Sequence, residues 1–279
     1  MEGQSMSKFM PILLLVCAIC GTAWAADAPT LTPTLKLAPP PMPTTKVNPK
    51  DGAEMVLIPA GEFLMGSKDG EGFADEHPQH TINLDAYYIY KNDVTVAQYR
   101  AFCTATKRKM PKAPSWGWLD NHPMVNVAWD DANAYAKWAG ATLPTEAQWE
   151  KAARGTDGRI FPWGNDWDAT KCSNSVGANN PGKTSPVGSY PAGASPYGVM
   201  DMAGNVLQWC ADRYGEYYYE KSPAKNPTGP DSGTDRVLRG GSWNYSGGDY
   251  RGAYRGDYGW NDYWGKYIGF RCVALSPGA

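Results

Sequence analysis

Apolar positions recur along the chain with two different periods, and each period predicts its own element. Met55-Val56-Leu57-Ile58 followed by Gly61-Glu62-Phe63-Leu64-Met65 reads as strand, turn, strand, with Gly61 as the turn residue. Thr81 to Tyr90 (TINLDAYYIY) alternates well enough to read as one further strand. Then the period lengthens. Thr95-Val96-Ala97-Gln98 is a capping box, and the helix it opens carries Tyr99, Phe102 and Cys103 on one face. A second helix is predicted from Asp130 to Trp138 and stops at Gly140; Asp130 and Asp131 fall in its first turn, where negative charge suits the helix dipole. A third opens on the capping box Thr145-Glu146-Ala147-Gln148 and ends at Gly155, placed as a C-terminal cap. From there to Pro191 the chain is turn-rich. Short strands are predicted at Val206–Cys210, Val237–Arg239 and Tyr267–Val273, and there is no repeat of fixed period. The pattern is α+β, with two or three helices, short strands and much irregular structure.

Between Arg236 and Val273 the aliphatic pattern disappears. The stretch opens on Arg239-Gly240-Gly241-Ser242-Trp243 and closes on Gly269-Phe270-Arg271-Cys272, with Tyr, Gly, Asp, Asn, Ser and Trp between. That composition is the composition of a paratope. Tyr and Trp give large, stiff contact area, and Ser, Gly and Asn give adaptable hydrogen bonds. Trp243, Tyr245, Asp249, Tyr250, Tyr254, Asp257, Tyr258, Trp260, Tyr263 and Trp264 are the expected contact residues. Arg239, Arg251, Arg255 and Arg271 are expected to brace the scaffold through buried polar contacts. By contrast, Asp69 to Glu76 (DGEGFADE) reads as a solvated acidic loop.

Composition adds the compartment. Lys8, the apolar run Pro11–Trp24 and Ala23-Trp24-Ala25 read as a secretory signal over residues 1–25, too short in its apolar run for a comfortable membrane span. The Pro- and Thr-rich stretch 26–50 reads as a linker, and residues 51–279 as one domain. The expected location is therefore exported, periplasmic or secreted, with no stable membrane anchor after cleavage. Beyond the signal stand Cys103, Cys172, Cys210 and Cys272; an even count in an exported chain predicts two disulfides, with Cys103–Cys272 and Cys172–Cys210 preferred and other connectivities open. A net charge of −2 gives no case for nucleic acid as a partner. No carboxylate is paired in sequence with a candidate nucleophile, so no acid–base site is read.

Several phrases together resemble the formylglycine-generating enzyme (sulfatase-modifying factor) family, which has a variant of the C-type lectin fold. They are Ile58-Pro59-Ala60-Gly61-Glu62-Phe63-Leu64-Met65-Gly66-Ser67, Pro123-Met124-Val125-Asn126-Val127-Ala128-Trp129, Leu143-Pro144-Thr145-Glu146-Ala147-Gln148-Trp149-Glu150, Pro162-Trp163-Gly164-Asn165, Asp201-Met202-Ala203-Gly204-Asn205-Val206-Leu207-Gln208-Trp209, and the two phrases that bound the C-terminal stretch. They stand in family order from about residue 52 to 274. Enzymes of the family oxidise a sulfatase cysteine to formylglycine with copper held by two cysteine thiolates just after the Gly-Gly-Ser phrase; soft thiolates select Cu(I). Here no cysteine lies between Ser242 and Phe270, so no copper is expected. A related branch binds iron with three histidines, whereas His77, His80 and His122 here read as structural or solvated.

The resemblance also implies calcium as a structural ion. Asp201, Gly204, Val206 and Gln208 match one calcium loop and Asn174 and Ser175 a second; Gln208 stands where a carboxylate is usual, which weakens the first site. The C-terminal stretch is similar to that of retroelement-diversified variable proteins, in which template adenines are randomised. Substituting AAC codons yields Tyr, Ser, Gly, Asp or Asn, and Asn244–Tyr250 falls wholly in that set, while Trp260, Trp264 and Lys266 do not. The expected function is display of a Tyr/Trp/Gly-rich surface toward a protein or glycan ligand. The alternative is an enzyme of the family, an oxidoreductase acting on a protein or small-molecule thiol.

Overall fold

In the computed structural model, which describes residues 44–176, 181–256 and 264–275, the chain is organised around a sheet with apolar material on both faces. Strands β1 (Thr45–Val47), β2 (Glu54–Ile58), β5 (Tyr87–Tyr90) and β9 (Val273–Leu275) pair antiparallel in the order β1-β2-β5-β9. Successive strand residues point to opposite faces. Accordingly Tyr88 and Tyr90 enter one apolar cluster while Tyr87 and Ile89 enter the other. A strand buried on both faces reads as a continuous apolar run rather than a strict alternation. This is why TINLDAYYIY reads as one strand. The chain instead breaks at Asp85-Ala86: β4 (His80–Leu84) pairs with β3 (Gly61–Met65), and β5 moves to β2. Asn226, distant in sequence, pins the break by accepting from Asp85 N at 3.0 Å and donating to Asp85 Oδ2 at 2.7 Å.

The C-terminal prediction is corrected in the same way. Tyr267–Val273 is not one strand but β8 (Ile268–Gly269) and β9, with Arg271 between them. Arg271 is fully buried and donates to Tyr90 O at 2.9 Å and Met200 O at 2.7 Å, so the chain passes from one sheet to another at this residue. The second sheet has the order β7-β6-β8, from β7 (Arg236–Arg239), β6 (Leu207–Arg213) and β8, with β6 and β8 parallel. The N-terminal boundary shifts too: β1 belongs to the domain, which therefore begins inside the stretch read as linker. The predicted signal and residues 26–43 lie outside the described residues. Among the described residues no helix is long and apolar enough to cross a membrane.

Helices α1 (Val96–Thr106), α2 (Trp129–Trp138) and α3 (Glu146–Arg154) form where the capping and spacing place them. Thr95 and Gln98 close the first capping box, Thr145 and Gln148 the second. Tyr99, Phe102 and Cys103 are buried, with Tyr99 stacked on Tyr135 of α2 at 5.8 Å. Asp130 and Asp131 do sit in the first turn of α2. Gly155 leaves α3 at φ 71°, a conformation that suits glycine.

Helix α3 is buried almost all round, charged residues included, so each charge needs a partner. Glu150 accepts from Arg154, from Arg239 and from Gly66 N at 2.8 Å. Glu146 accepts from Arg255 through Nε at 2.7 Å and Nη2 at 3.1 Å. Burial opposes ionisation of Glu146, but Arg255 and Arg239 outweigh it and hold its carboxyl below the usual range. Asp212, on β6, accepts from Glu146 N at 2.9 Å; burial, then repulsion by Glu146, outweigh the attraction of Arg255 and push its carboxyl up to about 8.

The four cysteines correct the disulfide expectation. Cys103, Cys172, Cys210 and Cys272 are all buried free thiols, and neither Cys103–Cys272 nor Cys172–Cys210 is bonded. Cys172 and Cys210 belong to different apolar clusters. Cys103 faces the end of α1, with its sulfur 3.8 Å from Lys109 O, while Cys272 lies in the chain that leads into β9. Thiol titration of denatured, unreduced protein should therefore find Cys103, Cys172, Cys210 and Cys272 all reactive, and loss of two or more thiols would count against this arrangement.

Asp212 predicts a pH dependence. Its folded pKa lies near 8 against an ordinary 3.8, so between those values the native state holds a proton that the unfolded chain has lost. This group's effect is a stability that falls as pH rises through that window and levels off above it, with a slope of up to about 1.4 kcal/mol per pH unit. Asp212→Asn should remove that slope in denaturant unfolding measured across the window. Parallel stability curves for variant and wild type would refute the assignment.

Candidate functional site

The α3 carboxylates reach the C-terminal stretch through its arginines. Arg239 is fully buried and, besides Glu150, donates to the carbonyls of Gly252 at 3.0 Å, Ala253 at 2.7 Å and Tyr254. Arg255 donates to Asp75 O at 2.8 Å and Gly215 O at 3.2 Å, and Arg251 forks onto Glu76 at 2.5 and 2.7 Å. The expectation that Arg239, Arg251, Arg255 and Arg271 brace the scaffold holds. Glu76, by contrast, is not in a solvated loop: it is fully buried, bound by Arg251, Ser67 and Phe73 N. Burial disfavours its charge, yet Arg251 and Ser67 together hold the carboxyl below its usual range.

The Gly-Gly-Ser turn sets how closely the stretch folds on itself. Gly240 and Gly241 have φ of 96° and 68°. A Cβ on Gly241 would stand 2.9 Å from both Asp249 O and the Tyr250 ring. With no side chain there, Tyr250 packs inward. It is fully buried, bonds its hydroxyl to the carbonyls of Ser242 at 3.0 Å and Tyr245, and stacks on Trp167 at 5.0 Å. Tyr250 is thus a core residue, which corrects its reading as a contact. Trp243 is also buried: its Nε1 donates to Lys266 O at 3.1 Å and its ring meets Trp116 edge-on at 5.7 Å.

Of the other predicted contacts, Tyr245, Asp249 and Tyr254 are half-buried and Trp264 is 56% exposed. Asp257, Tyr258, Trp260 and Tyr263 lie outside the described residues. Two loops that the sequence reading left out join this surface. Phe73 is 54% exposed, 6.0 Å from the Tyr254 ring, with the Arg251 guanidinium 5.5 Å from its own ring. Trp167 is 36% exposed and packs beside Phe161 and Trp163, which stack on each other at 5.3 Å. A signal for the second loop was available: Phe161, Trp163 and Trp167 follow closely with no aliphatic residue among them. Phe73 carried no local signal, since its place depends on Arg251 gripping Glu76 far along the chain.

The predicted calcium residues do come together, but as hydrogen-bonding groups. Asn205 N donates to Ser173 O at 3.0 Å, joining the two loops. Gln208 Oε1 accepts from Trp149 Nε1 at 2.7 Å and Arg271 Nε at 2.6 Å, which uses both lone pairs. Its Nε2 donates to Asp201 O at 2.6 Å, and Asp201 Oδ2 accepts from Gly188 N at 2.7 Å. Gly204 and Val206 contribute close-packed backbone: a Cβ on Gly204 would meet Ser173 O at 2.2 Å. Asn174 donates to Ala169 O and Cys172 O, both at 2.8 Å, and Ser175 Oγ donates to Tyr245 O. As arranged, these groups do not fit a calcium ion. The histidines are dispersed as well: His77 contacts Glu71 O, His80 contacts Pro78 O and His122 contacts Thr184 Oγ1. Among the described residues no three or more His, Cys, Asp or Glu side chains are grouped for a metal.

Comparison with known proteins places this geometry. The formylglycine-generating enzyme of Streptomyces coelicolor is 34% identical over 259 residues, covering 72% of this chain and 82% of its own. A similar enzyme from Thermomonospora curvata is 33% identical over 285 residues, covering 79% of this chain and 93% of its own. Among solved structures, PvdO from Pseudomonas aeruginosa superposes with a TM-score of 0.74 at 28% identity, covering 84% of this chain and 98% of its own. Treponema denticola variable protein 1 shares the fold, with a TM-score of 0.68 at 23% identity over 84% of this chain and all of its own. The α+β fold expected from the ordered phrases is therefore the fold found. The model of the sulfatase-modifying factor enzyme 1-like domain matches residues 41–275, and the chain belongs to that family.

Proposed function

We propose that this chain is a binding member of the family, exported, which presents a protein or glycan ligand with the surface formed by its C-terminal stretch. The observation that carries the reading is the segment after the Gly-Gly-Ser turn. From Ser242 to Phe270 there is no cysteine, so the soft ligands that Cu(I) chemistry calls for are missing from this segment. In their place Trp243 and Tyr250 seal the base, and half-buried or exposed aromatic rings stand around the arginine-braced backbone: Phe73, Tyr254, Trp167 and Trp264. Rings held on a rigid base lose little conformational freedom on binding, which favours affinity. Diversification of the stretch by a retroelement belongs to the same proposal, since Arg239, Arg251 and Arg255 fix backbone independently of the residues between them.

The second reading is enzymatic, an oxidoreductase acting on a thiol, and the identity to formylglycine-generating enzymes favours it. One pair of measurements separates the two. In copper-supplemented assays, a cysteine peptide with the sulfatase motif should show no oxidation above a protein-free control; turnover would sink the binding reading. In a screen against glycan and peptide arrays, the wild-type protein should retain ligands that Phe73→Ala and Trp264→Ala each weaken about tenfold, a loss typical of an aromatic anchor. Binding unchanged in both variants would remove this surface from the proposal.

A further inference from the structure

Below the loop that carries Val187 and Gly188 lies a cavity of about 60 Å³, bounded by Glu54, Asn92, Asp93, Thr95, Gln98 and Val187 among others. That volume holds a water molecule or a single small ion and excludes an organic ligand. Two of its walls are unusual. Asp93 is 1% exposed, and while one carboxylate oxygen accepts from Arg271 Nη2 at 3.0 Å, Oδ2 is buried without a hydrogen-bond partner among the described residues. Asn92 Oδ1 is buried and unpartnered in the same sense. Both atoms are acceptors when Asp93 is ionised, so neither satisfies the other.

Several nearby donors are engaged elsewhere. Thr95 gives both its N–H and its hydroxyl to Gln98 Oε1, at 2.9 and 3.1 Å. Lys91 Nζ is drawn to Glu54 at 3.0 Å. Gly188 N donates to Asp201 Oδ2 at 2.7 Å, and a Cβ on Gly188 would come within 3.1 Å of Asn92 Oδ1, crowding the oxygen that faces it. Charge is also unbalanced. Glu54 is matched by Lys91, but Arg271 stands alone between the carboxylates of Asp93 and Asp201. Burial pushes the Asp93 carboxyl well up despite Arg271, so ionising it in place calls for a further cation.

We propose that this cavity binds one monovalent metal cation, sodium or potassium, through Asp93 Oδ2 and Asn92 Oδ1. Carboxylate and carboxamide oxygens suit a hard cation, and its positive charge offsets the cost of ionising Asp93 in a buried place. The rival is a proton on Asp93 Oδ2 donated to Asn92 Oδ1, which needs no metal. The site is separate from the aromatic surface and does not depend on how that surface functions.

Thermal unfolding of the full chain decides between them. Sodium or potassium chloride replaces N-methylglucamine chloride at constant ionic strength. The midpoint should rise saturably, by about 3 °C for an ion bound only by the native state. Asn92→Leu should unfold at a midpoint that no longer responds to either metal ion. Thallium(I) soaked into crystals of the wild-type protein should give an anomalous peak between Asp93 and Asn92, a readout that stands if the variant fails to fold. Identical midpoints in metal and N-methylglucamine chloride, or crystals with water and no thallium at the site, would overturn the proposal.

Discussion

Two buried carboxylates on one helix, Glu146 and Glu150, are the constraint from which the C-terminal half of the structure follows. Neither charge is tolerable in the interior unpaired. Glu150 is matched by Arg154 on its own helix and by Arg239 from β7, and Glu146 by Arg255 from the stretch beyond. A guanidinium carries more donors than one carboxylate can use. The surplus goes to main-chain carbonyls: Arg239 to Gly252, Ala253 and Tyr254, Arg255 to Asp75 and Gly215. The backbone from Gly252 to Arg255, within a segment of almost no aliphatic residue, is thereby fixed. The work done elsewhere by burial of Leu, Ile and Val is done here by arginines whose charge is anchored under the surface.

This arrangement separates the residues that build the stretch from those that decorate it. Arg251 and Arg255 face inward to Glu76 and Glu146, while Tyr254 between them remains half-buried at the surface. Arg251 also carries its own neighbour into place, because gripping Glu76 brings Phe73 beside Tyr254. The surface is thus assembled from loops far apart in sequence and held by ion pairs beneath it. Exchange of a surface ring leaves those ion pairs intact, which is what a scaffold for variable contacts requires.

Much of this was legible in the sequence, and what was not has a common cause. The capping boxes at Thr95 and Thr145 were readable because both halves of each lie within one turn. The bracing arginines were readable as fixed points in an otherwise aromatic and polar stretch. Where a partner comes from elsewhere in the chain, the local signal misleads. Asn226 breaks the apparent strand Thr81–Tyr90, Arg251 turns an acidic loop residue into a buried one, and the Ser242 and Tyr245 carbonyls draw the Tyr250 hydroxyl inward. Composition marked Tyr250 as a contact because a paratope and a small polar core use the same residue types. Cysteine count failed for a related reason: number alone does not set pairing, since Cys172 and Cys210 fall in different apolar clusters and Cys103 and Cys272, though in one cluster, are free thiols.

Arg271 shows how far one buried cation can replace other means of joining a fold. Its guanidinium bonds Asp93 before α1, the Tyr90 carbonyl in β5, Met200 O in the loop ahead of β6, and Gln208 within β6. Those contacts join the four-stranded sheet, the three-stranded sheet and the loop ahead of β6 at a single residue. They also explain the chemistry at position 208. A carboxylate there would have no N–H to give Asp201 O, whereas the neutral Gln208 accepts from Arg271 and Trp149 and still donates to Asp201 O. With both lone pairs of Gln208 spent in this way, the loop Asp201–Gln208 is closed by an internal cation. Arg271 also bonds Asp93, whose second oxygen, like Asn92 Oδ1, is left without a hydrogen-bond partner among the described residues.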